Sequence, residues 1–460
     1  MQKICTIIFM NSKNKSFLIP LFTIAFPIIL QDFLSSFVNM LDTIMVGQLG
    51  AVDIAAVGLG NQLFFVMSLG VFGIASGGQI FIAQYWGKKD IKSINKTTGM
   101  MLKLALGFTV LFATISILFP EFCLSIYSKD QEVVTRGAQY LRVVAPSYLF
   151  FGVNVSFAVS CRNTEHLKLP AVATITSVFL NALLNYLFIF GVNIGGVQLI
   201  QAHGIIGAAT ATVCSRIVEA LIVVGGSYIR KYDIAAPVKN FLGVDKDFIA
   251  RYLKISLPVL VNELLWGSGI SMQSSIFAHS GTLVIASFNI MNSISNLVYP
   301  ICLGCGNATA IIIGKTIGEG RTEDAKILAR KQCGFIAAMA FCLGFLIMPM
   351  AKVMPFIFKV ESEVISMATV FIIMRGLIFA FDAFNMTSVV GVFRSGGDTL
   401  FALFMDVGFM WLLALPLGWL AVFVWHLPFW AVYLCILTEP VCKSIVGICR
   451  LLSNKWLRRL

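Results

Sequence analysis

Residues 17–46 read FLIPLFTIAFPIILQDFLSSFVNMLDTIMV. As a helix this stretch is long enough to cross about 30 Å of hydrocarbon, and its only charged side chains are Asp32 and Asp42. A surface helix of a water-soluble protein carries a polar face along its whole length; this one does not, so its solvent is the bilayer. The few polar residues are placed with order. Gln31, Ser35, Asn39 and Asp42 stand at i, i+4, i+8 and i+11, which lines them along one helix face and predicts a wetted stripe on an apolar span.

Similar stretches recur to the end of the chain. Spans are expected near residues 17–46, 54–86, 97–119, 137–159, 169–191, 204–228, 248–277, 283–313, 329–350, 364–393, 400–424 and 429–452, which makes an all-α integral membrane protein of about twelve helices. Composition agrees: 58% of the 460 residues are hydrophobic and 12% are charged, so no sizeable soluble domain is left over. The 11 cysteines are scattered, most of them in apolar stretches. The pair Cys302 and Cys305 has no second pair and no histidine at ligand spacing, so it reads as small hydrophobes.

The net charge of +12 is spread through the connections rather than gathered in a nucleic-acid-binding patch. Lys88, Lys89, Lys92 and Lys96, then Arg162 and Lys168, then Arg230, Lys231, Lys239 and Lys246 lie on one side; so do Lys315, Arg321 and Lys326, then Arg394, then the tail with Lys455, Arg458 and Arg459. The alternate connections are nearly free of Lys and Arg. The positive-inside rule then places both termini in the cytoplasm, with the bacterial inner membrane as the expected location.

Sliding the sequence against itself by 231 residues brings Pro27 onto Pro258, Gln31 onto Asn262, Asp32 onto Glu263, Gly50 onto Gly281, Asn61 onto Asn292 and Gly87 onto Gly318. Arg162 meets Arg394 at a shift of 232. The expected organisation is two homologous six-helix lobes of like orientation: residues 1–15 as a cytoplasmic segment, 16–228 as the N-lobe, 229–247 as a linker, 248–452 as the C-lobe and 453–460 as a basic tail.

An ionised carboxylate in the membrane costs several kcal/mol unless it faces a cavity or a partner, so acids inside spans are the first functional candidates. Four are read this way: Asp32, Asp42, Glu263 and Asp382. Glu263, Gly267, Ser271 and Ser274 repeat the first span's spacing, and Asn289, Asn292 or Ser293, and Asn296 follow in the eighth span. Carboxylate, hydroxyl and amide oxygens of this kind suit a small hard cation such as Na⁺, while a proton needs only one of the carboxylates. Asn181 and Asn185 share a face of the fifth span, and Asp382 and Asn385 share one of the tenth. Their amides either line a site or bond neighbouring helices.

Enzyme signatures are missing. Gly314-Lys315-Thr316 lacks the earlier glycine of a phosphate-binding loop, and the four histidines, His166, His203, His279 and His426, lie in or near loops. No resident cofactor is expected.

The stretch from Pro27 through Asn39-Met40-Leu41-Asp42-Thr43-Ile44-Met45-Val46-Gly47 to Gly60-Asn61-Gln62 resembles the opening of MATE (multidrug and toxic compound extrusion) transporters. Gly87-Lys88-Lys89-Asp90, Asn181 and Asn185 with Phe188-Ile189-Phe190-Gly191, and Arg394-Ser395-Gly396-Gly397-Asp398-Thr399 are similar to further family motifs, so the likeness covers essentially the whole chain. The resemblance implies a two-lobed antiporter that exports cationic or amphipathic compounds in exchange for Na⁺ or H⁺; a monomer is the expected working unit. It also implies that Asp42 is the first-span aspartate of the N-lobe, Glu263 the seventh-span glutamate and Asp382 the tenth-span aspartate that binds the coupling cation; from the polar pattern of the spans, Asn289 is expected with Glu263 and Asp382 at the cation site, and Gln31, Asp32, Asn39, Asn181 and Asn185 with Asp42 in the N-lobe cavity. Two positions depart from the pattern: Ile378 replaces a tyrosine found one turn before Asp382, and Asn185 replaces an aspartate found in the fifth span of other members. The nearest rival is a flippase for lipid-linked saccharides of the same superfamily, which would be expected to line its cavity with more cationic residues where these spans carry acids.

Overall fold

The computed structural model of the chain describes residues 12–194, 197–237, 241, 246–352 and 361–458. The expected segment 1–15 lies outside them as far as residue 11, as do residues 238–240 and 242–245 of the linker and the last two residues of the tail. In the first half the elements are α1 (Ser12–Gly47), α2 (Ala51–Lys88), α3 (Ile91–Leu118), a short α4 (Pro120–Ser125), α5 (Gln131–Val144), α6 (Ser147–Asn163) and α7 (Lys168–Phe190). A hairpin of β1 (Val192–Ile194) and β2 (Val197–Ile200) follows, and then α8 (Gly204–Ile229). The second half holds α9 (Lys246–His279), α10 (Thr282–Gly318), α11 (Thr322–Ile347), α12 (Ser362–Met386), α13 (Thr399–Phe409), α14 (Leu415–Phe423) and α15 (Phe429–Ser453). A π-helical run, Thr387–Arg394, prolongs α12, and another, Met410–Ala414, joins α13 to α14 into one span.

Among the described residues ten helical stretches are long and apolar enough to cross a membrane, and the α5–α6 pair, bent by 50°, makes an eleventh. The bend replaces the single span expected at residues 137–159. Pro146 sits at the break, where its missing N–H ends the ladder of α5. The remaining expected span is α9, 34 residues long and interrupted by Asn262 and Glu263. The hairpin at residues 192–200 stands where only a connection was expected; Val192 faces Ile200 and Ile194 faces Val197 across it.

The chain forms two compact units. One takes the chain up to Ile29, Ala83–Lys88 and Leu257–Leu460; the other takes Leu30–Ile82 and Lys89–Ser256. The first helix is thus divided just after Pro27, and the end of α2 packs with the second half. Glycines explain that packing. A Cβ on Gly304 would lie 2.4 Å from Cγ1 of Ile29, one on Gly314 would lie 2.5 Å from Cβ of Ala83, and one on Gly318 would lie 2.0 Å from the carbonyl oxygen of Gln84. Gly314-Lys315-Thr316-Ile317-Gly318 is therefore a small-xxx-small face that lets α10 approach α2 backbone to backbone, and not a phosphate loop. The repeat is also visible in backbone shape. Gly50 and Gly281, which coincide under the shift, open α2 and α10 with φ of +128° each, a conformation that a Cβ disfavours.

Candidate functional site

Asp42 is half-buried near the end of α1 in the N-terminal unit. Asn185 on α7 donates its amide to Asp42 Oδ1 at 2.5 Å. Asn181, one turn earlier, donates to Asp42 Oδ1 and Oδ2 at 3.0 and 3.1 Å in the amide orientation that satisfies its neighbours. Both asparagines are buried, at 6% and 1% exposure, so α7 offers the carboxylate a fixed pair of neutral donors. The guanidinium of Arg216 on α8 acts on Asp42 only through space. Arg216 itself is bonded at 2.9 Å to Glu219, which also accepts from Thr174 at 3.0 Å.

Gln31 and Asp32 stand apart from this cluster. Gln31 is buried with Nε2 unpartnered, and Asp32 lies in the field of Arg162 at the end of α6. The side chain of Asn39 lies outside the described residues.

In the C-terminal unit Glu263 on α9 accepts from Arg394 Nη1 at 2.7 Å. The repeat that matches Asp32 to Glu263 and Arg162 to Arg394 therefore matches two acid–arginine pairs, one in each unit. Asp382 on α12 pairs with Arg375, two turns earlier on the same helix, at 3.1 Å, and Arg375 also bonds the hydroxyl of Tyr433. Asn289 is exposed on α10. Among the described residues no hydrogen bond joins Glu263, Asp382 and Asn289 into one oxygen cage, and each of the two carboxylates has a guanidinium against one of its oxygens. Among the described residues no group of three or more His, Cys, Asp or Glu side chains has metal-holding geometry.

The count of four intramembrane acids proves too low. Glu219 on α8, Asp406 on α13 and Glu439 on α15 also lie within spans, together with the cations Arg216, Arg375 and Lys443. Lys443 Nζ is 2.8 Å from Asp406 Oδ1 and 2.7 Å from Glu439 Oε1, and Asn262 Nδ2 is 2.9 Å from Asp406 Oδ2. The spacing of Glu439 and Lys443 at i, i+4 is the sequence signal that finds them. Cationic residues are accordingly not absent from the spans, although Arg375, Arg394 and Lys443 are each matched by carboxylates.

The Arg394–Thr399 motif works as a joint at the end of this unit. Asp398, 1% exposed, accepts from Arg450 at 2.6 Å and from Arg458 at 2.9 Å. The Arg458 amide donates to the Gly396 carbonyl at 2.7 Å, and Gln84 Nε2 donates to the Ser395 carbonyl at 3.0 Å.

The MatE family model matches residues 27–187 and again residues 258–420. The two matches begin at Pro27 and Pro258, the residues that the internal repeat superposes. A relative described as a probable multidrug resistance protein NorM, from Thermotoga maritima, is 23% identical, covering 95% of this chain and 93% of its own. The multidrug resistance protein MdtK of Edwardsiella ictaluri is 24% identical over 87% of this chain and 86% of its own. Among solved structures, a MOP-superfamily transporter from Pyrococcus furiosus, described as having a binding pocket of reverse polarity that suggests a different function, superposes with a TM-score of 0.85 at 19% identity. That superposition covers 95% of both chains and shows the shared fold. Matched twice along its length and over more than half of its residues, the chain belongs to the MATE family of membrane transporters.

Proposed function

We propose that this protein exports cationic or amphipathic small molecules across the bacterial cytoplasmic membrane in exchange for H⁺ or Na⁺, as a monomer with both termini cytoplasmic. The names of its relatives support multidrug efflux. The observation that carries the exchange is Asp42, a carboxylate inside a membrane span whose hydrogen-bond donors are the neutral amides of Asn181 and Asn185. Such a group is held in place without a bonded counter-ion, so a proton, Na⁺ or a cationic substrate competes for it. When substrate and coupling cation each favour a state that weakens the other, antiport follows from that negative coupling. Glu263 and Asp382 enter the cycle as acids that a coupling ion reaches by displacing Arg394 and Arg375.

A second reading, a flippase for lipid-linked saccharides, gains from the buried Arg375, Arg394 and Lys443. It loses in that each of them is neutralised by a carboxylate within 3.1 Å.

The test is dye efflux from liposomes containing the purified protein, driven by a proton or a Na⁺ gradient. One gradient should drive efflux of a fluorescent cation. Asp42→Asn should reduce that efflux by about tenfold, within the span of a coupling free energy of about 1–3 kcal/mol. Folded protein that moves no dye under either gradient but translocates a lipid-linked saccharide overturns the reading.

A further inference from the structure

Glu263, Arg375, Asp382, Arg394, Asp406, Glu439 and Lys443 form three charged groups within spans of the C-terminal unit. Four of these residues are acids and three are bases. In two of the groups one acid meets one base, Arg394 with Glu263 at 2.7 Å and Arg375 with Asp382 at 3.1 Å. The imbalance therefore falls on the third group, where one ammonium, Lys443, stands 2.8 Å from Asp406 and 2.7 Å from Glu439.

Lys443 is 5% exposed and Glu439 is 7% exposed. A net negative charge at such depth is costly, and the cheapest neutral arrangement places one proton on one of the two carboxyls. The surroundings do not supply the missing charge. Asp406 is faced by Lys443, Asn262 and, through space, Arg394; Glu439 is faced by Lys443 and the acids Asp406 and Asp382. Arg375 is already held by Asp382, and Tyr299 on α10, near Glu263, Asp406 and Asp382, is a neutral phenol.

A separate observation points to the same place. Asn262, 2% exposed, donates Nδ2 to Asp406 Oδ2 at 2.9 Å while its buried Oδ1 has no hydrogen-bond partner. An amide in this position serves both protonation states. Its NH₂ donates to the carboxylate, and after a turn of the amide plane its idle oxygen accepts from a carboxyl O–H. Both oxygens of Asp406 already receive N–H donors, from Lys443 and Asn262. That geometry suits H⁺ and leaves no oxygen cage for a hard metal cation.

We infer that the Asp406–Lys443–Glu439 triad, read by Asn262, is a proton-exchange site of the C-terminal unit and a second coupling site in addition to Asp42. The inference rests on the transporter reading for its role and on the charge count for its chemistry. On proton binding an O–H bond forms at one carboxyl and Lys443 keeps the other carboxylate as its partner; on release the proton returns to water and the ammonium bridges both again.

Infrared spectroscopy of the purified protein in lipid, titrated with pH, reads the proton directly through the carboxyl C=O band. A pH-sensitive band is expected that disappears in Asp406→Asn or in Glu439→Gln, survives Asp42→Asn and Lys443→Arg, and persists to higher pH in Lys443→Met. In liposomes, efflux driven by a proton gradient should fall about tenfold in whichever of Asp406→Asn and Glu439→Gln removes the band. Dye–dye exchange, which needs no net proton, should continue there and show that the variant is folded. Carboxyl bands identical in wild type and both variants overturn the inference, as does undiminished proton-driven efflux in both. Wild-type protein that moves no dye under any gradient overturns the transport reading instead, and the infrared titration still decides whether the triad holds a proton.

Discussion

At the scale of single residues, the pairing of acids with arginines separates two roles that the sequence leaves merged. Asp32 and Glu263 occupy equivalent places in the repeat and each faces an equivalent arginine, Arg162 or Arg394, whereas Asp42 is bonded by amides. Arg394 is 3% exposed, so Arg394→Ala strands the Glu263 charge and should cost about 3–5 kcal/mol. Adding Glu263→Gln removes the stranded charge and should recover a good part of that loss in thermal denaturation of the detergent-solubilised protein. A double variant no more stable than Arg394→Ala would show that the pair is not what holds this region. His166, in the loop between α6 and α7, stacks on Tyr232 with ring centroids 3.8 Å apart, and burial pushes its pKa below the ordinary histidine value, with Asp233 and Glu165 acting the other way. The native state then binds fewer protons than the unfolded chain, so stability is unaffected above the unfolded pKa and is lost as pH falls through it. Melting temperatures compared at about pH 7.5 and about pH 5 should differ less for His166→Phe than for wild type.

At the scale of elements, the close approach of α10 to the end of α2 depends on residues whose value is that they are small. Gly314 and Gly318 meet Ala83 and Gln84, and a Cβ on Gly87 would lie 2.2 Å from the carbonyl oxygen of Lys315. The obstacles at Gly318 and Gly87 are backbone atoms, which cannot rotate away as a flexible side chain would. Gly318→Val should therefore destabilise by about 1–3 kcal/mol or more, where Gly107→Ala on α3, with nothing within 4 Å of its added Cβ, should be close to neutral. Equal melting temperatures for the two variants would refute the packing account. The bend between α5 and α6 belongs to this scale as well: Pro146 marks it in the sequence, but a hydropathy window passes over it because the two helices taken together are apolar enough for a single span.

At the scale of the whole molecule, the number and order of the spans, the duplication and the membership of the family were legible in the chain itself. Each rests on signals a linear reading sees: runs of apolar residues as long as the bilayer is thick, and prolines, glycines and acids recurring at a constant shift. Asp42, Asn181 and Asn185 were also legible as candidates, since polar residues at helical spacing on an apolar span are conspicuous. Their meeting was not, because α1 and α7 are separated by more than a hundred residues and only packing sets the 2.5 Å contact between them. The same holds for Lys443 with Asp406, and for the arginines that close Glu263 and Asp382. Sequence alone determined that this chain spans the membrane as two related halves and carries charges at depth. Only the tertiary structure decided which charges cancel and which are left with neutral donors, because that depends on a few ångströms between helices remote in sequence, and Coulomb energy in a medium of low dielectric is steep over that range.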